Sequence, residues 1–188
     1  MTTLEDLPVE VLLNIFQFLT IKDLIRCSEV SKRIQAISHD TSLWKKTNLA
    51  NFKVSSEILE MILNVGCEDL NLKKTKLKGN LKLNNPTSLK YLDLSRCYNY
   101  KLSKPLLASC FSLQKLSLEG SCLTFDMAKS IGTQNWTTLQ SLDLHDSQGL
   151  KEDVIQIIVK NCTALEEFSF STLFMTCEAI EYLSKHLT

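Results

Sequence analysis

LPVEVLLNIFQFL, residues Leu7 to Leu19, places Leu12, Ile15, Phe16 and Leu19 at i, i+3, i+4 and i+7. That spacing is one stripe of an α-helix. Pro8 suits the first helical turn, where a missing N–H removes no bond. Glu10 suits the positive N-terminal end of the helix dipole. Val11 and Phe18 widen the apolar surface beyond what one partner helix covers. Two further short apolar groups follow. The first is Ile21, Leu24, Ile25 and Cys27; the second, behind Ser31, is Ile34 and Ile37; Leu43-Trp44 closes the stretch. Three short helices in about forty residues make a small core. The surplus apolar surface is therefore expected to meet the rest of the chain or a partner.

After Trp44 the pattern changes to a repeat. Leu-x-Leu recurs as Leu70-Asn71-Leu72, Leu92-Asp93-Leu94, Leu116-Ser117-Leu118 and Leu142-Asp143-Leu144, and with aromatic residues as Phe168-Ser169-Phe170. The first positions are spaced by 22, 24, 26 and 26 residues. Another leucine stands three residues earlier at Leu89, Leu113, Leu139 and Leu165. L-x-x-L-x-L at this period is the mark of leucine-rich repeats. The alternation predicts a short strand with its leucines inward. Between the strands the apolar residues take helical spacing: Ile58, Leu59, Ile62 and Leu63 after Ser55-Ser56; Leu106, Leu107 and Cys110 after Ser103; Met127, Ala128 and Ile131 after Thr124; Val154, Ile155, Ile157 and Ile158; and Ala179, Ile180 and Leu183 after Thr176. The serines and threonines at these starts can cap free N–H groups. Leu49, 21 residues before Leu70, suggests a rudimentary extra unit. Residues 73–88 hold Gly79 and Asn85-Pro86 and no helical period, so a loop or short extended piece is expected there. The expected fold is thus α/β: a three-helix region over residues 1–48, then about five repeat units over 49–188, with parallel strands on a concave face and helices on a convex one. At the C-terminal end two readings stay open. Either a final helix with Glu178, Glu181 and Lys185 caps the array, or further repeats follow.

LPVEVLLNIFQFLTIKDLIRCSEVSKRIQAISHDTSLWKK resembles an F-box throughout. It has the Leu7-Pro8 start, the Ile15-Phe16 pair, Leu19 at the end of helix one and Leu24 in helix two. It also has the Val30-Ser31-Lys32-Arg33 run and the closing Leu43-Trp44. Ile34 departs from the family, which usually has Trp there. The repeats are similar to those of the leucine-rich F-box proteins. The resemblance implies that the first region docks on a Skp-family adaptor and through it on a cullin-type ubiquitin ligase. Leu7, Pro8, Leu12, Ile15, Phe16, Leu19 and Leu24 are the residues that it places in adaptor docking, as an exposed apolar stripe. It further implies that the repeats hold a protein target. The alternatives are a repeat scaffold or inhibitor whose F-box-like helices serve only as a cap, and a shortened competitor that binds adaptor without a full target site.

Composition narrows the remaining classes. Hydrophobic residues make up 44% and charged residues 22%, normal for a folded domain. The net charge is zero, with 21 basic and 21 acidic residues, which favours neither nucleic acid nor an anionic membrane. No apolar run approaches the ~18 residues of a membrane span. No secretory signal is read at the N-terminus. Seven cysteines without export predict reduced thiols and a cytoplasmic and/or nuclear protein. His39, His145 and His186 have no cysteine or carboxylate at metal spacing, so no metal and no cofactor are expected. His145-Asp146-Ser147 has the residue types of a triad, but a triad joins residues brought together from a distance. Cys97, Cys110 and Cys162 sit at recurrent repeat positions and read as small core residues. No catalytic constellation emerges.

What remains is binding surface. The residues flanking the inward leucines share the outer strand face. They hold five acids (Asp69, Asp93, Glu119, Asp143 and Glu167) and two lysines (Lys73 and Lys115). Tyr91, Asp93, Ser117, Asp143 and His145 are the candidates for target contact. Separately, Lys73, Lys74, Lys76, Lys78, Lys82 and Lys90 crowd a stretch with no acid between Asp69 and Asp93. A solvated loop is the simplest reading of that cluster.

Overall fold

The computed structural model describes residues 4–97, 100–122, 127, 137–148 and 152–171. The chain divides into two units, Met1–Lys46 and Thr47–Thr188. In the first, a 3-10 turn at Leu4–Asp6 precedes α1 (Val9–Phe16), α2 (Ile21–Cys27), α3 (Lys32–Ser38) and α4 (Thr41–Trp44). Helices this short do not stand alone in water, so their ends and packing must hold them. Thr20 Oγ1 accepts the Asp23 N–H at 3.3 Å, and Ser31 Oγ accepts the Ile34 N–H at 3.3 Å. Asp40 Oδ1 accepts the Ser42 N–H at 2.9 Å. Each cap satisfies an amide with no partner inside its helix. The Ser42 hydroxyl and N–H together hold the Asp40 carboxyl below its ordinary range. Leu12, Phe16, Leu24, Ile34, Ile37 and Trp44 are buried. Trp44 satisfies its one polar atom by donating Nε1–H to the Ser38 carbonyl at 2.6 Å. Arg33 donates to the Leu7 carbonyl at 2.9 Å, tying α3 to the start of α1.

The second unit contains β1 (Lys46–Asn48), β2 (Lys53–Ser55), α5 (Ser56–Asn64), β3 (Asp69–Asn71), β4 (Lys76–Lys78), β5 (Tyr91–Asp93), α6 (Tyr100–Ala108), β6 (Lys115–Ser117), β7 (Ser141–Leu144), α7 (Glu152–Asn161) and β8 (Glu167–Phe170). Six strands form one sheet in the order β1-β3-β5-β6-β7-β8. Its pairs from β3 to β8 are parallel, with Leu70, Leu92, Leu116, Leu142 and Phe168 in one register row. Parallel neighbours require a crossover between strands, and α5, α6 and α7 are such crossovers. The inward leucines are buried together with Leu59, Ile62 and Leu63 of α5, Leu106 and Leu107 of α6, and Val154, Ile155 and Ile158 of α7. Between Leu72 and Leu92 the chain instead makes β4, which pairs with β2 in a separate two-stranded sheet.

Three details depart from the sequence reading. Leu49 is the second leucine of its unit, not the first. Its N–H bonds the Asn71 carbonyl as Leu72 N–H bonds Asp93, so Thr47, also buried, takes the first position. Helix α6 begins at Tyr100, and Ser103 is buried within it rather than opening it. Of the helix expected after Thr124, only Met127 is described, and it is buried. The helix expected after Thr176, with Leu173, Phe174, Met175 and His186, lies outside the described residues.

One column of side chains locks unit to unit. Thr75 Oγ1 donates to the Leu49 carbonyl, Ser121 Oγ to Leu94 and Ser147 Oγ to Leu118, each at 2.7 Å. In the same column Cys97 Sγ lies 3.6 Å from the Thr75 carbonyl. All four stand three residues after the second leucine, and all are buried. One residue earlier stands Lys74 (φ 55°), Arg96 (φ 54°), Gly120 (φ 60°) or Asp146 (φ 55°), always left-handed. This conformation turns the chain out of the strand, and only at Gly120 is it free of steric cost.

Ser121→Ala should lower stability by roughly 1 kcal/mol, because the Leu94 carbonyl keeps only the Cys97 N–H of its own unit and loses its bond from the next unit. Urea unfolding measures this. A change within error would mean that the column is incidental to stacking.

Candidate functional site

Helix α1 has two apolar faces rather than one. Leu12, 0% exposed, and Phe16, 2% exposed, lie one turn apart and point inward. Val11 and Ile15 of α1 point outward, each near 40% exposed, and Phe18, in the turn that follows the helix, continues their spacing at 83%. Of the seven residues expected on an exposed stripe, Leu12, Phe16 and Leu24 are instead buried. The reason is economy of core: three helices of seven or eight residues must turn their central apolar side chains toward one another. Ile15 and Pro8 are exposed, and Leu7 and Leu19 are half-buried. Val11 and Phe18, noted in the sequence only as excess width, are part of the exposed face. The signal was available in their spacing with Ile15. Val30, 70% exposed, adds a further apolar residue after α2.

The outer strand face is built by register. Asp69, Tyr91, Lys115, Ser141 and Glu167 form one row, and Asn71, Asp93, Ser117, Asp143 and Ser169 the next. Asp69, Tyr91, Asp93, Lys115, Ser117, Ser141 and Asp143 line a shallow groove of about 360 Å³. Tyr91 is the exposed aromatic in it. Asp93 Oδ1 accepts the Ser95 N–H at 2.8 Å, and Asp143 Oδ1 accepts the His145 N–H at 2.9 Å. These bonds fix both carboxylates, and the Ser117 hydroxyl donates to the second oxygen of Asp143 at 3.4 Å. Ser95, placed on this face by the alternation, is buried and shares a hydrogen bond of 2.9 Å with Ser117 Oγ. Glu119 is neutralised in place: Lys73 Nζ lies 3.0 Å from Oε2 and Arg96 3.0 Å from Oε1. Lys73 first, then Arg96, lowers its pKa. The target candidates Tyr91, Asp93, Ser117 and Asp143 therefore share one groove. His145 is exposed beyond its rim, near Asp146 and Ser171.

Ser147 donates its hydroxyl to the Leu118 carbonyl from a buried position, so it cannot serve as a nucleophile beside His145. Among the described residues no group of His, Cys, Asp and Glu is arranged to hold a metal ion, and no helix is long and apolar enough to cross a membrane. Burial pushes the Cys67 and Cys110 thiols up to about 11 and the Cys162 thiol up to about 12.

Residues 4–50 match the F-box-like family, so this part of the chain is an F-box-like domain. Among solved structures, the tropomodulin C-terminal domain of Caenorhabditis elegans is similar over 78% of this chain and 88% of its own, at 13% identity and a TM-score of 0.45.

At mildly alkaline pH, alkylation of the native protein should label Cys122, exposed, and Cys27, half-buried, while Cys67, Cys110 and Cys162 stay protected until unfolding. Raised folded pKa values also mean that the neutral thiols' contribution to stability is intact below about 8.5. It is lost as pH climbs through about 11 to 12. Mass spectrometry of labelled peptides checks the first expectation, and a stability–pH series checks the second.

Proposed function

We propose that the F-box-like domain holds a Skp-family adaptor of a cullin-type ubiquitin ligase and that the strand face of the repeats holds a protein target. The chain would then be a non-catalytic substrate receptor, acting in the cytoplasm and/or nucleus. It brings the target's lysines near the ubiquitin-transfer machinery and does no chemistry itself.

The observation that carries this reading is the second apolar face of α1. A helix with Leu12 and Phe16 already inward has no internal use for Val11, Ile15 and Phe18 on its other side. Family F-boxes dock on their adaptor through this region, and the match over residues 4–50 supports the same role here. Phe18, Ile15 and Val11 are the proposed contacts, joined by Pro8 and the exposed parts of Leu7 and Leu19. A few such anchors dominate most interfaces. Leu12, Phe16 and Leu24 are positioning residues that hold the helix from behind.

The target reading rests on the groove at Tyr91, Asp93, Ser117 and Asp143, with His145 at its edge. SLQKLSLEGSCLT, Ser112 to Thr124, and the two units after it most resemble the S-phase kinase-associated F-box protein, a substrate receptor of this ligase class. That resemblance supports the role and says nothing of which target is bound.

One paired pull-down tests both halves. Phe18→Asp should remove the adaptor with the thermal midpoint unchanged, since an exposed side chain is replaced. Tyr91→Ala with Asp93→Lys should reduce target recovery and leave the adaptor bound. Retention of adaptor by folded Phe18→Asp would refute the first half. Retention of target by the double variant would refute the second.

A further inference from the structure

The lysine-rich stretch is not a uniform loop. Lys73 is held by Glu119 at 3.0 Å and Lys90 by Glu68 at 2.8 Å, so two of its six charges are already paired. Parallel pairing of β2 with β4 then brings in a lysine distant in sequence. Lys53 stands opposite Lys76, Val54 opposite Leu77 and Ser55 opposite Lys78. Val54 is buried and Leu77 half-buried, so strand alternation turns Lys53, Lys76 and Lys78 to the other, exposed face. Lys74 is exposed two residues before Lys76. Among the described residues none of Lys53, Lys74, Lys76 and Lys78 has an acidic partner. The acids of the adjoining helix α5 are engaged elsewhere: Glu57 accepts from the Ser56 hydroxyl, and Glu60 accepts the Lys82 backbone N–H at 2.8 Å.

Like charges directly opposite one another destabilise a strand pair, and a two-stranded sheet has little stability to spare. We infer that this lysine ridge is an interaction surface for an extended, Asp/Glu-rich segment of a partner protein. The spacing suits it. Lys53 and Lys76 are about 5 Å apart across the strands, and Lys76 and Lys78 are about 7 Å apart along one. Alternate carboxylates of an extended peptide have that same second spacing. Phe52, partly exposed just before Lys53, supplies apolar surface at one end. Nucleic acid fits less well, because the patch holds no arginine and too few cations for the many phosphate contacts that such binding requires. The ridge lies on a different sheet from the groove, so this inference stands or falls independently of the target reading.

The test uses the full chain at low salt and a fluorescent peptide of alternating Asp and Ser. The comparison ligands are its Asn counterpart, a single-stranded oligonucleotide and anionic vesicles. The acidic peptide should bind, the Asn peptide should not, and binding should weaken as salt is added. Lys53→Gln/Lys76→Gln/Lys78→Gln should lower its affinity by about tenfold or more. The same variant should keep or raise thermal stability at low salt, since the repulsion is gone. A control triple, Lys32→Gln/Lys46→Gln/Lys160→Gln, removes equal charge elsewhere and should retain binding. Equal loss in both triples, unchanged binding in the ridge triple, or preference for the oligonucleotide or vesicles would each overturn the inference.

Discussion

The stacking of the inward leucines is the constraint from which the second unit follows. Each strand–crossover segment has an apolar face that it cannot cover by itself. Leu70, Leu92, Leu116 and Leu142 in register, with the helix faces of α5, α6 and α7, bury that face between neighbours. Stacking at strand separation brings backbone carbonyls into the interior, and these must find donors. Turn N–H groups of the same unit supply one donor to the Leu49, Leu94 and Leu118 carbonyls, and the column Thr75, Cys97, Ser121 and Ser147 adds contacts from the next unit. Once the leucines face inward, the alternate residues are forced outward into the rows that form the groove.

In the first unit the same scarcity of core acts differently. Short helices turn Leu12, Phe16, Leu24 and Ile34 inward and leave a second apolar face on α1. Exposure of Phe18 at 83% runs against burial of apolar area. A partner that covers this face recovers the hydrophobic free energy that the small core cannot. The buried positions and the proposed contact positions are thus adjacent stripes along α1 and the turn that follows it.

Much of this was legible from the sequence. Period and alternation gave the strands, their inward leucines and the helices at α5 and α7. The F-box-like run was readable from ordered positions such as Leu7-Pro8 and Leu43-Trp44. Which side of α1 faces the core was not legible. Apolar residues occupy most of its circumference, and periodicity does not rank two adjacent stripes. The hydroxyl column was half visible: Cys97 was seen as a recurrent position, yet its polar role required knowing which carbonyl lay opposite. The membership of the lysine ridge is not legible in the sequence. Pairing of β2 with β4 joins residues 23 apart, and ion pairs withdraw Lys73 and Lys90. No local window contains either fact.

The central claim is that the outer face of α1 is a docking surface while the repeats remain free for a target. Hydrogen–deuterium exchange of the full chain, alone and with purified Skp-family adaptor, addresses it directly. The account predicts slowed exchange in peptides covering Val9 to Leu19 and no change across the strands from Asp69 to Phe170. Unchanged exchange in the first region at saturating adaptor, or protection confined to the strands, would contradict it.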